Sequence, residues 1–175
     1  AGAGKGLLAR DILAYLPHFP AEFAASLQYS TVEKHKATFA DPATSEYPGA
    51  QPSSIPDHIT GCVLSNELLD AFPVHRAVLR EGRLKEIYVA LKNGQFHEIS
   101  RDTSSPRLQQ YLTDESISLA EGQIAEINLE AVKWIGDVAG RLQRGFVVTI
   151  DYGYPAAELY SAARKQGTLM TYSHH

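Results

Sequence analysis

One cysteine, Cys62, stands among 175 residues, so no disulfide can close within the chain. A lone thiol suits a reducing compartment. No apolar run approaches the ~18 residues of a membrane-spanning helix. Basic residues do not outnumber acidic ones: 16 Lys and Arg face 20 Asp and Glu, a net charge of −4. That balance excludes a general nucleic-acid binder, which draws its affinity from a basic surface. The seven histidines lack close metal-ligand spacing, so no metal is expected, His174 and His175 included. The chain shows no internal repeat, no low-complexity tract and no signal-peptide pattern. It also lacks an initiator Met and a strand ahead of its opening glycine turn, and is therefore expected to be a piece of a longer protein. What is present, 44% apolar and 21% charged residues, is the composition of a globular domain with a sizeable core.

Apolar residues at Leu7, Leu8, Ile12, Leu13 and Leu16 have helical spacing with one face to bury, and Pro17 and Pro20 stop the pattern. A short helical turn over 21–27 and a strand over 27–33, ending at Glu33, are expected next. Residues 41–57 are rich in proline, serine and threonine and read as a long loop. The continuous apolar run 58–65 predicts a parallel strand buried on both faces, with Cys62 a buried structural thiol. A short helix over 66–72, stopped by Pro73, is expected to follow. Two alternating segments around Gly82-Arg83 predict an antiparallel hairpin, with a third strand over 94–100; His75 and Arg76 open it as surface or partner-facing residues. Residues 101–122 are mixed and polar. A helix over 125–142 is expected to bury Trp134 and its apolar neighbours. A buried strand over 146–153, a helix over 155–165 and a last strand over 168–172 complete the chain. Strands alternating with helices predict an α/β fold: a Rossmann-like, doubly wound, mostly parallel sheet with an antiparallel hairpin inserted at about 74–100, all in one domain. Ligands bind such sheets at the carboxyl ends of the strands. That is where Gly2–Gly6, Glu33, Asn66, Glu67 and Asp151 fall.

The glycine loop selects among ligands. A phosphate loop needs four residues between its glycines and a hydroxyl after Lys, but Lys5 is followed by Gly6. A dinucleotide loop needs its third glycine where Leu7 stands, so a dehydrogenase fits poorly. The spacing of Gly2, Gly4 and Gly6 resembles the S-adenosylmethionine (SAM) loop of Rossmann-like methyltransferases. There Gly2, Ala3, Gly4 and Gly6 would pass close under the cofactor, where a Cβ would clash. The helix N-terminus would face the methionine carboxylate. Glu33, at a second strand end, would accept both ribose hydroxyls.

The segment GCVLSNELLDAFPVHR (61–76) is the most distinctive. It resembles the signature of the MidA-like family, class I SAM-dependent methyltransferases that include the mitochondrial complex I assembly factor. The glycine loop with its helix, EINLEAVKWI, GFVVTIDYGYP and GTLMTYSHH resemble further segments of that family, so the resemblance runs from end to end. It implies a methyltransferase with SAM as cofactor and a protein arginine as substrate. It also implies a cytoplasmic location in a bacterium or a mitochondrial one in a eukaryote. The family carries an acidic residue two positions before its first motif glycine, outside this sequence.

Methyl transfer from a sulfonium needs mainly alignment, with nucleophile and methyl ~3–3.5 Å apart. A guanidinium is a poor nucleophile until paired carboxylates localise its charge. Glu67, Asp151 and Glu126 are the candidates for that clamp, with Asn66 to orient the acceptor nitrogen or contact the cofactor and Tyr152 to wall the pocket. Each carboxylate also has a structural reading: Glu67 in a first helical turn, Asp151 capping a turn, Glu126 at a helix N-terminus. Two other functions fit the same sequence: a small-molecule methyltransferase, favoured by a closed aromatic pocket, and a non-catalytic assembly or binding protein keeping the fold.

Overall fold

A computed structural model describes residues 1–2, 6–32 and 55–170. Its elements, in chain order, are α1 (Leu7–Tyr15), a 3-10 turn (Leu16–His18), α2 (Ala21–Ser26), β1 (Ile59–Asn66), β2 (His75–Arg80), β3 (Arg83–Lys92), β4 (Gln95–Asp102), α3 (Arg107–Asp114), β5 (Ile124–Ile127), α4 (Leu129–Arg141), β6 (Leu142–Ile150) and α5 (Ala156–Leu159). The fold is α/β, and the described residues form a parallel sheet and an antiparallel sheet. The chain divides into two compact units, Ala1–Ala71 with Ile135–Asp151 and Phe72–Trp134 with Tyr152–His175.

The first unit is built on the parallel pair β1 and β6, in register from Thr60↔Arg144 to Asn66↔Ile150 after an irregularity at Ile59. Gly61 and Gly145 lie opposite each other, with φ of +149° and +138°, a region open only to glycine. Arg141 holds the entry to β1 by bonding the carbonyl of Ile55 and the Asp57 carboxylate. Gly6, at φ +78°, starts α1, and Pro17 ends it by entering the 3-10 turn. Three expectations change here. Helix α1 has no buried residue; instead Tyr15 stacks on His18 and meets Phe19 edge-on, and Phe19 packs against Phe23. Strands β1 and β6 are largely exposed, Cys62 included, because a two-stranded sheet leaves most of both faces uncovered among the described residues. Residues 27–32 form no ladder among the described residues; the Val32 carbonyl accepts the Gly2 amide.

The second unit is a four-stranded antiparallel sheet in the order β4-β3-β2-β5. Glu81-Gly82 and Asn93-Gly94 all have positive φ, which suits two-residue turns that match the strand twist. The expected hairpin and third strand are present, and β5 extends them on the far side of β2. Leu108 and Leu112, one helical turn apart on α3, pack with Ala77 and Ile127 into the core. Each large apolar side chain buried there contributes ~1.5–3 kcal/mol. Helix α3 was hidden in the polar stretch 101–122, and β5 in the expected long helix, which starts only at Leu129. Only Val138 is buried on α4; Trp134 is half-buried. The expected helix over 155–165 shrinks to Ala156–Leu159, and residues 168–170 form no strand; the rest of that strand lies outside the described residues.

Candidate functional site

Strands β1 and β6 run parallel and end side by side, so the residues that follow them share one edge. Asn66, opposite Ile150, is the last residue of β1, and Glu67 comes next. The Glu67 amide donates to the Ile150 carbonyl at 2.8 Å, and its φ is +46°. A β-carbon disfavours that left-handed conformation, so the local structure holds Glu67 in it at a cost of ~1–3 kcal/mol. Asp151 shows what holds it. Its Oδ2 accepts the Leu69 amide at 2.8 Å and the Asp70 amide at 3.3 Å, folding residues 67–72 into a turn. The short helix expected over 66–72 is absent because a side chain, rather than backbone carbonyls, takes these amides. Beneath the edge, Ser65 is buried and its hydroxyl donates to Thr149 Oγ1 at 3.1 Å.

Gly2 comes to the same turn. A Cβ on Gly2 would lie 2.9 Å from Leu68 Cδ1, so Gly2 packs directly against the turn, and its φ of +66° is one that glycine favours. Gly6 is buried at the start of α1. The structure thus brings together Gly2, Asn66, Glu67 and Asp151 within the first unit. Ala3, Gly4 and Glu33 lie outside the described residues. Glu126 and Tyr152 belong to the second unit. Tyr152 is 76% exposed. Glu126 stands on β5 rather than at a helix start, and its Oε2 accepts the Thr168 amide at 2.8 Å and the Thr168 hydroxyl at 3.3 Å. A Cβ on Gly167 would meet Glu126 Oε1 at 2.1 Å. The Tyr160 hydroxyl donates to the Glu126 carbonyl at 2.8 Å; burial first, then Tyr111, pushes its pKa up, so it stays a donor.

Sequence reading missed Ser65, Thr149 and Leu68 as supports of this edge: all three lie inside the motif segments, but only the parallel register, for Ser65 and Thr149, and the contact with Gly2, for Leu68, give them that role. Among the described residues, no three His, Cys, Asp or Glu side chains stand together as a metal site would need, and no helix is long and apolar enough to cross a membrane.

The role of Asp151 is testable. Asp151→Ala is expected to cost ~1–2 kcal/mol in urea denaturation, because two turn amides lose their acceptor. Asp151→Asn, which keeps one carbonyl oxygen, should recover most of it. Equal losses would mean that charge, rather than the two hydrogen bonds, holds the turn.

A carboxylate and an amide side chain are thus presented at a strand edge beside Gly2. Over residues 1–175 the chain matches the family model described as "Putative S-adenosyl-L-methionine-dependent methyltransferase". The chain belongs to this family. Among solved structures it is similar to a "likely methyl transferase" from Burkholderia thailandensis bound to S-adenosyl-homocysteine, at 28% identity and a TM-score of 0.78 over 95% of this chain and 44% of that one. A second crystal structure, of a protein of the same superfamily and organism, matches at 28% identity and a TM-score of 0.75, over 95% of this chain and 46% of that one. The chain therefore spans less than half the length of either solved relative. No curated protein matches it.

Proposed function

We propose that this family member binds SAM at the carboxyl edge of β1 and β6 and takes part in transferring its methyl group. The observation that carries the reading is the convergence of Gly2 with the 66–70 turn at the ends of two parallel strands. The residues fit the cofactor. Gly2 and Gly6, with φ of +66° and +78°, adopt left-handed conformations that glycine favours. Gly2, Ala3, Gly4 and Gly6 would hold the adenosyl and amino-acid parts, Glu33 the ribose, and Asn66 a polar edge of the cofactor. The bound cofactor supplies a methyl group on a sulfonium, ready for displacement by a nucleophile.

This chain's own residues then bind and orient. Glu67, exposed at the strand edge, accepts hydrogen bonds from the methyl acceptor and favours a cationic one. Asn66 orients the acceptor nitrogen through its amide oxygen. Asp151 acts through the turn as a positioning residue. Glu126 and Tyr152, the remaining candidates, stand in the second unit. The resemblance to the MidA-like family extends the reading to one domain within a longer chain that methylates arginine in a protein substrate, in the manner of a complex I assembly factor. A compartment-dependent location, cytoplasmic or mitochondrial, belongs to the same reading.

Calorimetric titration of SAM and S-adenosyl-homocysteine tests the cofactor site. Binding is expected, with Glu33→Ala weakening it by ~1.5–3 kcal/mol, the worth of hydrogen bonds to a charged group. Glu67→Ala should leave cofactor affinity nearly unchanged and abolish methylation of arginine peptides. Absence of binding by the full-length protein would overturn the cofactor reading. Binding without methylation of any protein or small-molecule acceptor would favour a non-catalytic binding protein.

A further inference from the structure

Residues 160–168 are tied to residues 123–126, at the β5 edge of the antiparallel sheet, at three points. At one end Tyr160 is buried, and its hydroxyl donates to the Glu126 carbonyl. There the buried Gln123 side-chain amide also donates to the Tyr160 carbonyl at 3.0 Å and the Ser161 carbonyl at 3.1 Å. In the middle, the Ile124 amide donates to the Lys165 carbonyl at 2.9 Å. At the other end, the Glu126 carboxylate takes the amide and the hydroxyl of Thr168. Different forces hold the two ends. Apolar burial fixes Tyr160. Beyond Thr168, Leu169 and Met170 are 61% and 67% exposed, so hydrogen bonds rather than packing hold this end.

Both oxygens of Glu126 face this segment. Oε2 carries the two bonds from Thr168. Oε1 is buried and, among the described residues, has no hydrogen-bond partner. A Cβ on Gly167 would run into it, so only the Cα–H of a glycine fits there. Gly167 also has a φ of +76°, which glycine favours. The neighbouring cation is engaged elsewhere: Arg76, the cross-strand partner of Glu126, gives its guanidinium to Glu98. A methyl acceptor would have to displace residues 167–168 before it could reach Oε1.

We propose that residues 161–170 form a strap, hinged at Tyr160 and latched by Glu126, and that the Glu126 carboxylate serves this latch rather than the methyl acceptor. The second half rests on the methyltransferase reading and leaves Glu67 as its acceptor carboxylate; the first half stands without that reading. Release of the latch frees Thr168 and gives Oε1 access to water, while Tyr160 stays buried. The strap therefore opens from its Thr168 end, and the absence of a Cβ at Gly167 is what lets it close.

Two measurements on the full-length protein test this, and neither needs a methyl acceptor or SAM, so their outcome is separate from that of the cofactor titration. The first is hydrogen exchange at the Ile124 amide, which is bonded to Lys165 on the strap and not to Glu126. Glu126→Ala is expected to speed that exchange at least tenfold, because a charged acceptor is lost, while the β2–β3 amides stay slow. Thr168→Val, a milder change that removes only the hydroxyl bond, should speed it about threefold. Gly167→Ala should act as Glu126→Ala does, by displacing the carboxylate. A double-mutant cycle removes its backbone strain: Gly167→Ala should have at least threefold less effect in the Glu126→Ala background than in the parent. The second measurement is labelling of carboxylates with a water-soluble carbodiimide and glycinamide, read by mass spectrometry. Glu126 should label at least tenfold more slowly in the parent than in Gly167→Ala. The latch is overturned if Ile124 exchange is unchanged in both Glu126→Ala and Thr168→Val, or if Gly167→Ala has the same effect in both backgrounds. The exclusion of the acceptor is overturned if Glu126 labels as fast in the parent as in Gly167→Ala.

Discussion

Gly145→Ala is expected to destroy the pairing of β1 with β6 and leave little folded protein. A Cβ at Gly145 would sit 1.7 Å from the Gly61 carbonyl oxygen, 2.7 Å from its carbon and 3.0 Å from its nitrogen. All three are backbone atoms, so no side chain can swing away. The pairs on either side, Thr60↔Arg144 and Cys62↔Phe146, fix the separation of the strands. The φ of +138° adds strain that any L side chain would feel. A loss above ~4 kcal/mol, at the extreme of single substitutions, is the expected scale. Gly61 provides the internal control. It also has a positive φ, +149°, but a Cβ there meets nothing within 4 Å. Gly61→Ala should therefore show the strain alone, ~1–3 kcal/mol. Urea denaturation of both variants separates contact from conformation. Equal effects would mean that backbone strain, rather than the approach of the strands, sets the demand for glycine.

This glycine pair also shows what the sequence conceals. Gly145 reads naturally as the stop after a helix, so the strand was expected from 146, whereas β6 begins at Leu142 and crosses the glycine. The reason for Gly145 lies 84 residues away in Gly61, and single-chain periodicity does not reach that far. The alternation that reveals β2 and β3 is legible because each has a half-buried face, and the two-residue turns carry their own signals, the second of which marks the start of β4. Strand β5 is only four residues long and runs almost directly into α4, so its short alternation merges into the helical period. The boundary did carry a local mark: Asn128 Oδ1 accepts the Ala131 amide at 2.8 Å, an N-cap placed just before Leu129. Helix α3 was marked by Pro106 ahead of Leu108 and Leu112. For the candidate site, NELLDAFPV and the strand-end Asp151 located the edge, while the local form of 67–72 was misread. The spacing of an amphipathic turn and of a helix is the same over six residues; the deciding contact comes from Asp151 on another strand. The network around Glu86 was invisible for the same reason. His75, expected at the surface, meets it across the β2–β3 pair.

Glu86 is only 5% exposed and is surrounded by donors. Its Oε1 bonds His75 Nδ1 at 2.7 Å; its Oε2 accepts the Tyr88 hydroxyl at 2.9 Å and the Ser104 amide at 2.6 Å. Burial alone would raise its pKa. The hydrogen bonds from His75, Ser104 and Tyr88 together outweigh burial and lower it from 4.5 to about 2. The folded pKa therefore lies below the unfolded one. The stabilisation is complete above about 4.5 and is lost as pH falls toward about 2. Glu86→Ala leaves the Tyr88 hydroxyl and the Ser104 amide without their acceptor and should cost ~3–5 kcal/mol. Glu86→Gln discriminates between packing and charge. Its amide oxygen can take the place of Oε2 and accept from Tyr88 and Ser104. Its NH2 can donate to His75 Nδ1 in the tautomer where that nitrogen accepts. The glutamine variant should thus stay within ~1 kcal/mol of the parent at neutral pH. It should also lose less stability than the parent between about pH 5 and 2, because the group that titrates is gone. Denaturation midpoints across that window decide it. If parent and glutamine variant lose stability in parallel, the acid sensitivity of the sheet arises from carboxylates other than Glu86, and the His75–Glu86 pair serves the fold through shape alone.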